Sequence, residues 1–265
     1  KLDMKHLEVI VSGAISTSMH ADAGIDIQAV WQGKIPMPRA TYRCIKEGTP
    51  VYTARTKTSK LVSVAPMSSE WYQAAATKPS TQRGWVHVAL PLPGWIPASC
   101  VKAMQADEGG RDAKLVGDMQ ILGSLYQSRR QWVGDNPRHM CWTACMKAQE
   151  EMLGSNLSES MLSIRGKPHR VMGSFLAQPT RRPWWPEHYD GWRHHCYLKF
   201  EDGAIADITA DQWCDDVPLI YFPADASRYS EDTSKAQKAR DIVLKEVGIE
   251  RWRQMQEENG DGKVD

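Results

Sequence analysis

Residues 140–145 read Met140-Cys141-Trp142-Thr143-Ala144-Cys145 and lie on the border between a loop and a helix. Upstream, Gly134-Asp135-Asn136-Pro137 carries turn and breaker residues. Downstream, Met146, Met152 and Leu153 take apolar helical positions, and Gly154 ends the pattern. The sequence therefore predicts a helix over 141–153 with Cys141 in its first turn. There, the N–H groups that lack a helical acceptor and the macrodipole favour a thiolate. A thiol becomes a nucleophile when its pKa falls and a base stands beside it. Cys145, one turn further in, reads as a small buried residue behind the site, with an exchange of roles as the alternative.

The base must come from elsewhere in the chain. Residues 193–200 read as a strand, Glu201-Asp202-Gly203 as a tight turn, and 204–208 as the returning strand. Such a hairpin sets His195 and Asp207 side by side, so that the carboxylate orients the imidazole. Period-two alternation puts His195, Tyr197 and Lys199 on one face and Cys196, Leu198 and Phe200 on the other. His194 points away from that face and is the second choice of base. Gln212, near the end of the returning segment, is a further polar candidate. An oxyanion would need the Cys141 backbone N–H and a side-chain donor upstream of it, for which Gln131 and Asn136 are the options.

These motifs resemble the papain-like cysteine hydrolases. The Cys-Trp-x-Ala start at Cys141 is similar to that family's nucleophile helix. The run from His195 through Asp202-Gly203 to Asp207-Ile208-Thr209 is similar to its second half, shared with transglutaminase-like folds. The resemblance implies a Cys141, His195, Asp207 triad acting through a thioester on a protein or peptide substrate. Proteolysis, deamidation and transamidation remain open alternatives. A non-catalytic interaction or structural subunit on a degenerate scaffold is the rival reading. A peptidoglycan hydrolase is a third.

Residues 40–101 have a different texture. Short β-rich runs at 41–45, 51–53, 61–64 and 84–90 alternate with turn signals, implying a small barrel or sandwich. Gly84-Trp85-Val86-His87-Val88 followed by Gly94-Trp95-Ile96-Pro97 and Val101 resembles the closing segment of SH3-like barrels, including the bacterial type; 67–83 is a long polar insertion. The resemblance implies an aromatic groove built from Trp71, Tyr72, Trp85 and Trp95 for a Pro-rich or other peptide ligand. The alternative is that Trp85 and Trp95 fill or cap the barrel.

The expected architecture is α+β: an N-terminal extension (1–39), an SH3-like barrel (40–104), a polar linker (105–112), a papain-like domain (113–225), and a charged C-terminal helix and tail (226–265). Within it, a strand is hinted at in 7–12, helices are expected over 114–132, 157–164 and 234–255, a loop over 166–186, and a strand over 217–222. The loop's Arg181-Arg182-Pro183-Trp184-Trp185 tip is a candidate contact with substrate or partner.

The whole-chain composition sets outer limits. In 265 residues, 42% are hydrophobic and 25% charged, enough apolar material for a packed core. A net charge of +1 argues against nucleic-acid binding through bulk charge. Trp (11) far outnumbers Phe (3), which points to half-wet packing surfaces. The six cysteines form no CxxC pair, and adjacent strand positions would aim His195 and Cys196 apart, so no metal and no cofactor is expected. They read as reduced thiols in a cytoplasmic setting. Residues 1–18 have a basic start and an apolar run broken by Glu8 and Ser12, a poor match to a signal peptide. No run is apolar enough for a membrane span.

Overall fold

The computed structural model describes residues 42–65, 69–73, 83–104, 113–137, 140–154, 164–177, 191–214 and 216–258. The expectations for 1–39 and for the Arg181–Trp185 tip, and all but the last residue of the helix expected over 157–164, lie outside these residues. The described chain is mixed α+β with two antiparallel sheets.

The N-terminal half supplies strands β1 (Tyr42–Cys44), β2 (Thr49–Tyr52), β3 (Leu61–Ala65), β4 (Glu70–Gln73), β5 (Trp85–Leu90), β6 (Gly94–Pro97) and β7 (Val101–Ala103). They form one sheet in the order β3-β2-β6-β5-β4-β1-β7. Alternation does most of the work. Val86, Val88 and Ile96 are fully buried, while Trp85, His87 and Trp95 on the opposite face are half-exposed. A single 3-10 turn, Ala98–Cys100, leads into β7.

Two helices follow: α1 (Ala113–Trp132) and α2 (Cys141–Gly154). The Glu151 carboxylate of α2 accepts hydrogen bonds from Ser128 Oγ and from Trp132 Nε1 (2.8 Å), which fastens the two helices together. Next come β8 (His169–Leu176), β9 (Trp192–Lys199), β10 (Ile205–Ala206) and β11 (Tyr229–Ser230), in the sheet order β10-β9-β8-β11. Helices α3 (Ser234–Val247) and α4 (Ile249–Glu258) close the described chain.

Several elements differ from the sequence reading, among them β4, which lies within the stretch read as a polar insertion over 67–83. The loop expected over 166–186 contains β8, the eight-residue partner of β9. Its middle is buried on both faces at Gly173, Ser174 and Phe175, so no polar alternation marks it. The strand expected over 217–222 belongs to neither sheet and instead stitches the two together. Leu219 and Ile220 donate N–H bonds to the carbonyls of Leu61 and Val62 on β3, and Tyr221 exchanges a bond pair with Asp207. The long helix expected over 234–255 breaks into α3 and α4 at Gly248, whose φ of +78° leaves the helical region.

One buried apolar cluster runs from the first sheet through α1 and α2 into the second half, joining Trp71, Val88 and Ile96 to Leu122, Leu125, Cys145, Leu198 and Phe222. A second, around Val171, Phe175, Tyr197 and Tyr229, fills the other face of the four-stranded sheet. The two halves of the chain thus share a core rather than standing apart.

Candidate active site

Met140 supplies the first carbonyl of α2, accepting the Ala144 N–H at 2.7 Å, so Cys141 is the first helical residue. Cys141 is half-buried, and no acidic residue shares its first turn. Beside it, Trp142 is about half exposed, with the Arg170 guanidinium 4.6 Å from its ring centroid.

The hairpin of β9 and β10 sets the other two positions. Ala206 pairs with Leu198, which brings Asp207 level with Tyr197 and onto the face that also carries His195. His195 Nε2 lies 2.6 Å from Asp207 Oδ2, and both side chains are completely buried. The carboxylate is saturated with donors. Tyr229 Oη donates to Oδ2 at 2.9 Å, while the Thr209 N–H (2.8 Å) and hydroxyl (3.2 Å) donate to Oδ1. Burial alone would raise the Asp207 pKa, but the His195 charge and these hydrogen bonds hold it below the usual carboxylate range. Burial likewise pulls His195 down. The Asp207 charge and hydrogen bond, followed by a hydrogen bond and charge interaction with Cys141, outweigh it and bring the imidazole up to about 10. An imidazolium is therefore the resting form at neutral pH.

With Nε2 committed to Asp207, Nδ1 is the nitrogen left for the thiol. Two more N–H groups lie within reach of it and can donate to it only while it is unprotonated: Gln212 Nε2 at 3.2 Å and Trp213 Nε1 at 3.3 Å. Gln212 is 7% exposed and sits in the 3-10 turn Ala210–Gln212. That turn is clamped from a distance. Arg129 on α1 bonds both oxygens of Asp211 (2.6 and 2.9 Å) and the carbonyls of Ile208 (2.5 Å) and Leu219 (3.1 Å). Lys60, beside β3, adds a 2.8 Å ion pair to Asp211.

The remaining sequence candidates fall as follows. Cys145 is buried, its thiol bonding the Cys196 carbonyl at 3.2 Å. Its neighbour Cys196 and its burial push its pKa well up, the behaviour of an inert thiol. His194 is exposed on the opposite face of β9. Gln131 and Asn136 are both exposed, and the amide side chain that reaches the imidazole is that of Gln212. Tyr229, the second donor to Asp207 Oδ2, escaped the sequence reading. It lies on a two-residue strand 22 positions beyond the carboxylate, with no local pattern to announce it. Trp71 is corrected outright: it is fully buried, its Nε1 bonded to Ser69 Oγ, and belongs to the core rather than to a groove. The Tyr72 side chain lies outside the described residues. Trp85 and Trp95 do share a half-exposed face, together with Tyr52 and His87. The Trp95 ring stacks on His87 at 4.3 Å, and Tyr52 meets Trp85 edge-on at 5.7 Å. Among the described residues, no group of His, Cys, Asp and Glu is placed to hold a metal ion, and no helix is long and apolar enough to cross a membrane.

Compared with family models, with curated proteins and with solved structures, the chain matches none.

Proposed function

We propose that this chain is a cysteine-dependent hydrolase or acyltransferase that acts on protein or peptide amide groups through Cys141, His195 and Asp207, on a papain-like domain preceded by an SH3-like barrel. One observation carries the reading. A fully buried His195–Asp207 ion pair commits Nε2 and leaves Nδ1 to exchange a proton, and Cys141, at the start of a helix, interacts with that ring. A histidine that must hold and release a proton gains orientation and charge stabilisation from a desolvated carboxylate that is itself fixed by hydrogen bonds.

In the reaction, the Cys141 thiolate attacks the amide carbon and forms a C–S bond. The carbonyl oxygen becomes an oxyanion, with the Cys141 N–H at the helix start as one donor. The oxyanion collapses, the C–N bond breaks, and His195 gives its Nδ1 proton to the departing amine or ammonia. His195 then takes a proton from water, which cleaves the thioester, or from an amine, which is acylated. Asp207 holds the ring throughout, and Tyr229 and Thr209 hold Asp207. The SH3-like reading of the first sheet is supported by the β5–β6 pair and by the 3-10 turn just before β7. Its half-exposed face of Tyr52, Trp85, His87 and Trp95 is suited to a Pro-rich or other extended peptide.

The test is alkylation of the native protein by iodoacetamide across pH, with the modified cysteine mapped by mass spectrometry. Cys141 should react faster than a model thiol at about pH 6–7, where a free thiol of pKa ~8.5 is mostly protonated. Reaction no faster than the model thiol overturns the proposal.

A further inference from the structure

The site as described supplies one oxyanion donor, the Cys141 backbone N–H, and the chemistry calls for a second. The upstream residues whose type suits that role, Gln131 and Asn136, are exposed. On the far side of the imidazole's commitments, Gln212 Nε2 lies 3.2 Å from His195 Nδ1, the nitrogen that exchanges a proton with the thiol. We propose that Gln212, which follows the triad carboxylate in sequence, is the side-chain oxyanion donor of this site, a catalytic residue that rests on the triad reading above.

Three features of the geometry support this role. The first is position: Gln212 Nε2 is within hydrogen-bond reach of Nδ1 on the same ring that bonds the Cys141 thiol, next to which the tetrahedral oxygen must form. The second is proton logic. An imidazole nitrogen has one in-plane site, so once Nδ1 carries the proton it no longer accepts from an amide N–H. With His195 an imidazolium, the Gln212 N–H serves the negative oxygen that forms when the thiolate attacks. The third is rigidity. Gln212 is over nine-tenths buried, and the preceding residue, Asp211, is held by Arg129 and Lys60. An oxyanion donor is useful only when it is fixed before the charge develops, since reorientation during reaction would cost what the bond returns. Trp213 Nε1 also reaches Nδ1, but its half-exposed indole carries Arg193 6.0 Å from the ring centroid, an arrangement that suits a wall of the site.

Two probes separate an oxyanion role from every other way of disturbing the site. Iodoacetamide alkylates a thiolate by displacement at a saturated carbon, so it requires the ion pair but forms no oxyanion. p-Nitrophenyl acetate acylates the thiolate at a carbonyl: a C–S bond forms, p-nitrophenolate leaves, and the intermediate carries an oxyanion. Both are applied to the full chain, with Cys141→Ala as background. Gln212→Ala and the length-preserving Gln212→Met should acylate about 10²–10³-fold more slowly, while the alkylation of Cys141, compared at the optimum of each variant's own pH profile, falls far less. Circular dichroism confirms that each is folded, and Gln212→Met serves if the alanine variant is not. If acylation and alkylation fall together, or if neither falls, Gln212 is not the oxyanion donor. A wild-type protein whose Cys141 reacts with neither probe overturns the triad reading itself, and this proposal with it.

Discussion

Replacing Asp207 with Asn tests the electrostatic reading of the site, because it preserves shape and removes one charge. In the wild type, His195 has an ordinary pKa of 6.5 when exposed and about 10 when folded. A proton held that much more tightly corresponds to roughly 5 kcal/mol of folding stability. The sign follows from proton counting. Between 6.5 and 10 the folded state keeps a proton that the unfolded state has lost, so this contribution is fully present below 6.5 and is lost as pH rises through about 10. In Asp207→Asn the charge that raised the imidazole is gone, burial dominates, and the ring stays neutral. Urea unfolding at a series of pH values reads both effects. Near neutrality the variant should be about 3–5 kcal/mol less stable, the usual cost of breaking a buried pair. The gap should then close toward high pH, with a slope approaching ~1.4 kcal/mol per pH unit. Buried cysteines such as Cys214, which burial pushes up to about 12, also lower stability at alkaline pH. They do so equally in both proteins and cancel in the difference. A gap that stays constant from neutrality upward would show that His195 is neutral in the folded protein, and the ion-pair argument would fail.

Arg129→Met should cost roughly 3–5 kcal/mol in urea unfolding, because it strands a 2%-exposed Asp211 side chain against Lys60 alone. A loss under about 1 kcal/mol would mean that the turn carrying Gln212 does not depend on this clamp. Tyr229→Phe removes one hydrogen bond to the Asp207 carboxylate and should cost about 1.5–3 kcal/mol. It should also weaken Cys141 alkylation near neutral pH, and an unchanged unfolding midpoint would refute its supporting role. A Cβ at position 173 would collide with the Ser230 carbonyl oxygen, so Gly173→Ala should push β11 off β8 and cost about 1–3 kcal/mol. Trp71→Ala should cost about 3–5 kcal/mol, whereas Trp85→Ala, at a half-buried position, should cost distinctly less. Similar losses in both would contradict the assignment of one tryptophan to the core and the other to the surface.

Much of the site was legible in the sequence because its signals are local. A Gly-Asp-Asn-Pro turn ahead of an apolar helical period places Cys141 at a helix start. An Asp-Gly turn between two β-rich runs places His195 and Asp207 on one hairpin face. Alternation alone distinguishes His195 from His194, and it buries Val86 and Val88 while leaving Trp85 and His87 half-exposed. Each inference needs neighbours only a few residues away, where backbone geometry restricts the outcome. Pattern reading fails where both faces of an element are covered, as in β8, or where an element pairs with two sheets in turn, as 217–222 does.

What only tertiary structure decided are the partners that lie far apart in the chain. The sequence identifies Arg129 as a helical residue. That it grips Asp211, 82 positions away, depends on how α1 lies across the second half. The donation of Tyr229 to Asp207 requires the close approach of β11 to Gly173, and Trp71 is buried in the shared core on a strand flanked by β1 and β5. Gln212 stood in the sequence as one polar residue among many. It became a neighbour of His195 Nδ1 only when the clamped turn packed against that ring. Local periodicity fixes which way a side chain points from its own element, but which distant group it meets depends on packing among elements, and that information is spread over the whole chain.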